Sequence, residues 1–295
     1  MNNFETMTLN APVEIPTLNA VSELQQYKQL IRRTFDQRSK SYARFAFMEQ
    51  TIGSRLLEQL DFSAINPDFI LDLGSGNGHD AALLARRYPQ ATIIALDHSL
   101  GMLAQQAEHA YRLCADAQAI PLKNHCVDLI LANNLIPWLP SAQDLLTEVR
   151  RVLKPDGLWI FATLGLDTLS KLSSFLAEQG LPEVREMATL MDLHPLGDQL
   201  LKAGFSDPIV HMDMLQFDYE HPVDLLRDLA GTGWAYAMPP FNQEAYRDFL
   251  RAYSEYCASA CDEQGSIAAE IEVIYAHAWG ACMKQEPNSI PVKIF

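Results

Sequence analysis

The chain has 295 residues, of which 48% are hydrophobic and 20% charged, enough for one large α/β domain with a substantial core and no reason for bulk disorder. Its net charge of −15 argues against a nucleic-acid partner, because an acidic surface repels phosphates and gains nothing from counterion release. Cys114, Cys126, Cys257, Cys261 and Cys282 form no Cys-x-x-Cys pair, which argues against a disulfide framework and a structural zinc site; no metal is expected.

Residues 1–21 carry prolines, Asn and Thr but no Lys or Arg, and read as a flexible extension rather than a secretory signal. No run approaches the roughly 20 apolar residues that span a bilayer, so a cytoplasmic protein is expected. Leu24, Tyr27, Ile31 and Phe35 recur at helical spacing and predict an amphipathic helix over 22–36, with a second over Met48 to Leu60. The period then changes. Strands are expected at Asp68 to Leu73, Ala91 to Leu96, Tyr111 to Cys114 and Val127 to Asn133. Helices are expected at Asp80 to Tyr88, Ser99 to His109 and Ala142 to Leu153. After Lys154-Pro155-Asp156-Gly157, which reads as a turn, another strand runs from Leu158 to Leu164. Such alternation implies parallel strands joined by right-handed crossovers, with helices on both faces. Beyond it lie a helical insertion at about 167–192, a helix over Pro195 to Ala203, a strand over Ile209 to Phe217, a second insertion at about 222–261 and a last strand over Glu270 to Trp279. The expected organisation is one domain over 22–285 with a cap made of both insertions and the N-terminal helices, then a tail over 286–295.

Ligands of open α/β sheets bind beyond the carboxyl ends of the strands. There the run Phe69-Ile70-Leu71-Asp72-Leu73 breaks into Gly74-Ser75-Gly76-Asn77-Gly78, whose glycines permit a sharp turn and close backbone approach. Asp97 ends the next strand and could accept both ribose hydroxyls; Asp116 follows the third and could receive an adenine amino proton. Both could instead cap helices. NAD also uses a glycine-rich turn and a later acid, but here the spacing is Gly-x-Gly-x-Gly, and Asp72 beside it suits the amino group of a methionine moiety better than a pyrophosphate. S-adenosyl-L-methionine is therefore the expected cofactor, with Asp72, Gly74, Ser75, Gly76, Asp97, His98, Met102, Asp116, Ala117 and Asn133 as candidate contacts.

Together with Asp97, Ala115-Asp116-Ala117 and Glu148-Val149-Arg150-Arg151-Val152-Leu153-Lys154-Pro155, the glycine turn resembles the class I methyltransferases. Outside that core, Phe35-Asp36 with Ser41-Tyr42, the stretch from His194 to Pro208, Leu226-Arg227-Asp228-Leu229 and the stretch from Glu272 to Gly280 resemble the malonyl-acyl-carrier-protein O-methyltransferases of biotin synthesis. The resemblance implies a Rossmann-like, mostly parallel seven-stranded sheet with an antiparallel last strand. It also implies methylation of the free carboxylate of a malonyl thioester, which needs no general base because the carboxylate is already ionised at neutral pH. Tyr42, Asn133, Trp138, Thr163 and Arg227 are the expected substrate-positioning residues, and His194 and His277 are expected to be structural. Around Trp138, after Thr163 and at Gly233-Trp234 the loops depart from the family pattern. The competing readings are a relative acting on a quinone precursor or a protein, or a non-catalytic cofactor-binding scaffold. Acyl carrier proteins are acidic, so Lys28, Arg32, Arg33, Arg38 and Lys40 form a candidate docking segment.

Overall fold

A computed structural model describes residues 20–183, 190–234 and 243–280. The expected N-terminal extension up to residue 19, the C-terminal tail, Cys282 and part of each insertion lie outside the described residues.

Helices α1 (Ala20–Arg38) and α2 (Phe47–Glu58) precede the sheet, separated by a single 3-10 turn at Tyr42–Arg44. Then follow β1 (Phe69–Leu73), α3 (His79–Arg87), β2 (Thr92–Asp97), α4 (Leu100–Leu103), β3 (Tyr111–Cys114), β4 (Val127–Asn133), α5 (Ala142–Val152) and β5 (Leu153–Leu164). The C-terminal part holds α6 (Ser170–Glu178), α7 (Leu193–Lys202), β6 (Phe205–Tyr219), α8 (Pro222–Gly231), α9 (Gln243–Ala260) and β7 (Ile267–Gly280). The sheet has seven strands in the order β3-β2-β1-β4-β5-β7-β6. β1 to β5 pair in parallel, and β7 runs antiparallel between β5 and β6. This is the predicted Rossmann-like architecture.

The residue pattern explains the layers. β1 and β4 are apolar along nearly their whole length and buried on both faces, as central parallel strands require. In α5, Leu145, Leu146, Val149 and Val152 form one buried stripe, and Ser141 caps the helix by accepting the Asp144 N–H at 3.2 Å. One core layer packs α2, α3, α8 and α9 on the sheet, and a second packs α5 and α7 on the other face. Strand order reverses between β1 and β4, so a crevice opens beyond their carboxyl ends.

Two local expectations are corrected. The predicted helix from Ser99 to His109 is only one turn long, because the Gln106 side chain turns inward and donates to Ser75 Oγ and the Gly76 carbonyl, each at 2.8 Å. Lys154 to Gly157 do not separate helix from strand. They bulge from β5, whose pairing jumps from Val127↔Leu153 to Leu129↔Leu158, with Asp156 at a φ of 60°.

Candidate active site

The backbone must leave β1 and enter α3 within five residues, and Gly74, Gly76 and Gly78 take φ values of 77°, 51° and 84°. For other residues that region costs about 1 kcal/mol or more. The turn is fastened on one side: the Gly74 and Ser75 N–H groups donate to the Leu96 carbonyl at 2.8 and 3.0 Å. On the other side a Cβ at Gly76 would meet nothing within 4 Å, and this open edge faces a cleft of about 1100 Å³ counted out to its mouth.

Asp97 braces the turn. Its Oδ2 accepts the Gly76 N–H at 2.9 Å and its Oδ1 the Ser99 N–H at 2.8 Å. Burial pushes its pKa up to about 6, although these backbone donors pull the other way. Further along the wall, Asp116 accepts from Lys28 Nζ at 2.6 Å and from the Gln118 N–H at 2.9 Å. Burial raises this carboxyl, but the Lys28 bond and charge outweigh it and hold the group below its usual range. Helix α1 is thereby drawn across the cleft, and Asp36 secures it by accepting from Ser99 Oγ at 2.6 Å and the Gly101 N–H at 2.8 Å.

At the inner end, Asn133 Nδ2 donates both to the Glu49 carbonyl and to Asp80 Oδ2, each at 2.9 Å. Gly53 allows α2 to approach so closely that a Cβ there would lie 2.3 Å from Asp80 Oδ1 and 2.6 Å from Asn133 Nδ2. Glu49 Oε2, Asp80 Oδ1, Asn133 Oδ1 and Asn134 Oδ1 are buried without a hydrogen-bond donor among the described residues. All four are acceptors on wall residues, and His79 Nε2 is the one ring nitrogen of the described wall residues buried in the same unpartnered way. Burial accordingly raises Glu49 to about 7 and Asp80 above the usual carboxylate range.

Toward the mouth the wall is aromatic. Trp138 stands 4.9 Å from Phe35 and 5.3 Å from Trp234 between ring centroids, and Phe35 lies 6.2 Å from Tyr42. Trp234 Nε1 donates to Glu49 Oε1 at 3.3 Å.

Of the candidate residues, Tyr42, Gly74, Ser75, Gly76, Asp97, His98, Met102, Asp116, Ala117, Asn133 and Trp138 all line this cleft. Asp72 and Thr163 do not: both are fully buried behind the wall, with Asp72 Oδ2 and Thr163 Oγ1 unpartnered. Burial, then the Asp80 and Asp97 charges, raise Asp72 well above a normal carboxylate. Arg227 is turned to solvent and pairs with Asp224 at 2.6 Å. His194 is exposed beside Asp192, and His277 sits on β7 against β5 and β6. Within the basic segment, Lys28 is bound to Asp116, and Arg38 Nε donates to the Ala230 carbonyl at 2.8 Å; Arg32, Arg33 and Lys40 are exposed. Sequence reasoning missed Glu49, Asp80, Phe35 and Trp234 as wall residues. Asp80 opens one predicted helix and Glu49 lies within another, and Phe35 and Trp234 stand out in the primary sequence only through the family pattern, without a site role.

Fold and cleft together define a class I methyltransferase. Residues 71–161 match the family model described as a methyltransferase domain. A solved putative methyltransferase from Bacillus halodurans superposes with a TM-score of 0.55 at 17% identity, covering 77% of this chain and 99% of that one. The malonyl-[acyl-carrier protein] O-methyltransferase of Methylovorus sp. (strain MP688) is 32% identical over 265 residues, 85% of this chain and 88% of the relative. Its counterpart in Halorhodospira halophila is 32% identical over 261 residues, 86% and 88%. The chain belongs to the malonyl-[acyl-carrier protein] O-methyltransferase family.

Proposed function

We propose that this protein binds S-adenosylmethionine in the cleft and esterifies the free carboxylate of a malonyl thioester borne by an acyl carrier protein, in the cytoplasm. The observation that carries the cofactor reading is the set of unpartnered acceptors Asp80 Oδ1, Asn133 Oδ1 and Asn134 Oδ1 at the inner end, which complements a ligand carrying an ammonium and a sulfonium. When bound, the sulfonium supplies the methyl group, its S–CH₃ bond breaking as the carboxylate O–CH₃ bond forms. Asp97 accepts the ribose hydroxyls, Asp116 the adenine amino group, and Asp80 with Asn133 takes the ammonium role for which Asp72 lies too deep. Phe35, Tyr42, Trp138 and Trp234 exclude water and hold the acceptor in line, and such positioning supplies most of the rate where no proton has to move. Family membership supports the malonyl substrate over a quinone precursor or a non-catalytic scaffold. Incubation with S-adenosylmethionine and malonyl-acyl carrier protein is expected to give a malonyl methyl ester by mass spectrometry; an unaltered malonyl group would overturn the assignment.

Carrier docking falls to the exposed cations Arg32, Arg33 and Lys40. Changing all three to Glu should cut kcat/KM for the carrier-linked substrate about 10-fold or more at low salt, while turnover of malonyl-coenzyme A changes less than about 3-fold. Equal losses on the two substrates would sink the docking role. Arg38 is unsuited to this test, since its bond to Ala230 ties α1 to the end of α8.

A further inference from the structure

An anionic carboxylate entering this cleft meets Glu49, Asp80, Asp97 and Asp116. Its wall lysine, Lys28, is already bound to Asp116, and Arg227 faces Asp224 outside. No lysine or arginine among the described wall residues is free to receive the substrate, which leaves the neutral donors and the imidazoles of His79 and His98. We propose that Glu49, as an uncharged carboxyl, binds the substrate carboxylate by donating from Oε2 to the oxygen that is not methylated; this rests on the carboxylate-methylating function proposed above.

The geometry leaves Glu49 one free oxygen in a fixed direction. Its main-chain carbonyl is held by Asn133 Nδ2, and Oε1 is held by Trp234 Nε1. Oε2 is sealed from solvent without a partner, in a residue that lines the cleft beside the aromatic rim. Only the protonated carboxyl offers a donor there; the ionised form would repel the substrate. The groups facing Glu49 favour the neutral form. Tyr42 from the 3-10 turn and Tyr219 from β6 each feel its charge, Asp228 on α8 raises it, and Asp80 on α3 lies across Gly53. Burial is the largest influence and raises its pKa to about 7, while the hydrogen bond from Trp234 opposes it. The cofactor's positive charge favours the ionised form of Glu49 and the substrate's negative charge the protonated one.

Glu49→Gln provides the test, because its amide can accept from Trp234 and donate to the substrate without titrating. Wild-type kcat/KM for the malonyl thioester should fall with rising pH above about 7.5, approaching 10-fold per unit, whereas Glu49→Gln should be flat from pH 6 to 9. Glu49→Ala should raise KM for the thioester about 10–100-fold, with a smaller change in kcat. Tryptophan emission of the free protein should show a step near pH 7 that Glu49→Gln removes, a readout that requires no turnover. If ester forms but Glu49→Gln keeps the wild-type alkaline fall, or if the emission step survives the substitution, the role of Glu49 is overturned while the reaction stands. If wild type forms no ester at any pH, the substrate assignment fails first.

Discussion

Gly53→Ala is expected to lower the unfolding temperature by roughly 3–10 °C and to weaken S-adenosylmethionine binding at least about 10-fold, although it adds one methyl group. The new Cβ would sit 2.3 Å from Asp80 Oδ1, 2.6 Å from Asn133 Nδ2 and 2.9 Å from Asp80 Cγ. Neither neighbour can yield cheaply, because Asn133 Nδ2 is held by both the Glu49 carbonyl and Asp80. Overpacking of this kind costs about 1–3 kcal/mol, and a protein of this size loses about 2–4 °C per kcal/mol. The displaced atoms belong to the proposed ammonium site, which couples the stability loss to a binding loss. Gly197→Ala is the control: its Cβ would meet nothing within 4 Å on α7, and a helical Gly→Ala exchange stabilises by up to about 1 kcal/mol. Calorimetric titration and thermal melts distinguish the two. A Gly53→Ala protein that binds the cofactor as tightly as wild type would show that Asp80 and Asn133 do not hold it.

The contrast between those glycines shows what the primary sequence could convey. Gly74, Gly76 and Gly78 announce themselves because the constraint is local: a strand must break into a helix within a few residues, and the spacing is visible in one line. Asp97 and Asp116 follow by the same logic, each at the carboxyl end of a predicted strand. Gly53 is hidden, since its requirement comes from Asp80 and Asn133, which only the fold brings to α2. Glu49 and Asp80 are hidden for that reason, and Asp72, next to the glycine turn in sequence, lies one layer behind the cleft wall in space. Lys28 carries the opposite lesson. A run of positive charge reads as a surface, but the side chain that reaches furthest inward has a partner 88 residues away. The bulge at Lys154 to Gly157 is legible as an irregularity but not as part of a strand, because Pro and Gly signal a break in geometry without saying whether pairing resumes on the same strand.

Stabilisation by S-adenosylmethionine should be larger at pH 8 than at pH 5.5, with the cofactor-induced shift in unfolding temperature growing by several degrees and affinity rising about 10-fold. In the free protein Asp97 titrates at about 6, chiefly because burial penalises its charge, and burial also raises Asp80 and Asp72. A carboxyl with a raised folded pKa confers stability that is complete below its unfolded value near 4 and disappears as pH rises through the folded value. Between about pH 4 and 6 the free fold is thus increasingly burdened by the ionising, poorly solvated Asp97 and stays so at higher pH, while His98 and His277, held below their usual values by burial, offset part of that trend. A bound cation reverses the burden, since it favours the ionised carboxylates and releases their protons, and a neutral His98 in the same wall acts in the same direction. Each unit of pKa displacement corresponds to about 1.4 kcal/mol; because Asp97 reaches the cleft surface, a net effect of about 1–2 kcal/mol is expected after screening. S-adenosylhomocysteine, with a neutral thioether in place of the sulfonium, should show a clearly shallower pH dependence. Glu49→Gln should leave most of this cofactor dependence intact while abolishing the opposite alkaline fall in turnover, since the first belongs to Asp97 and Asp80 and the second to Glu49. A cofactor shift that shrinks as pH rises would mean that the buried acids do not face the cofactor's positive charge.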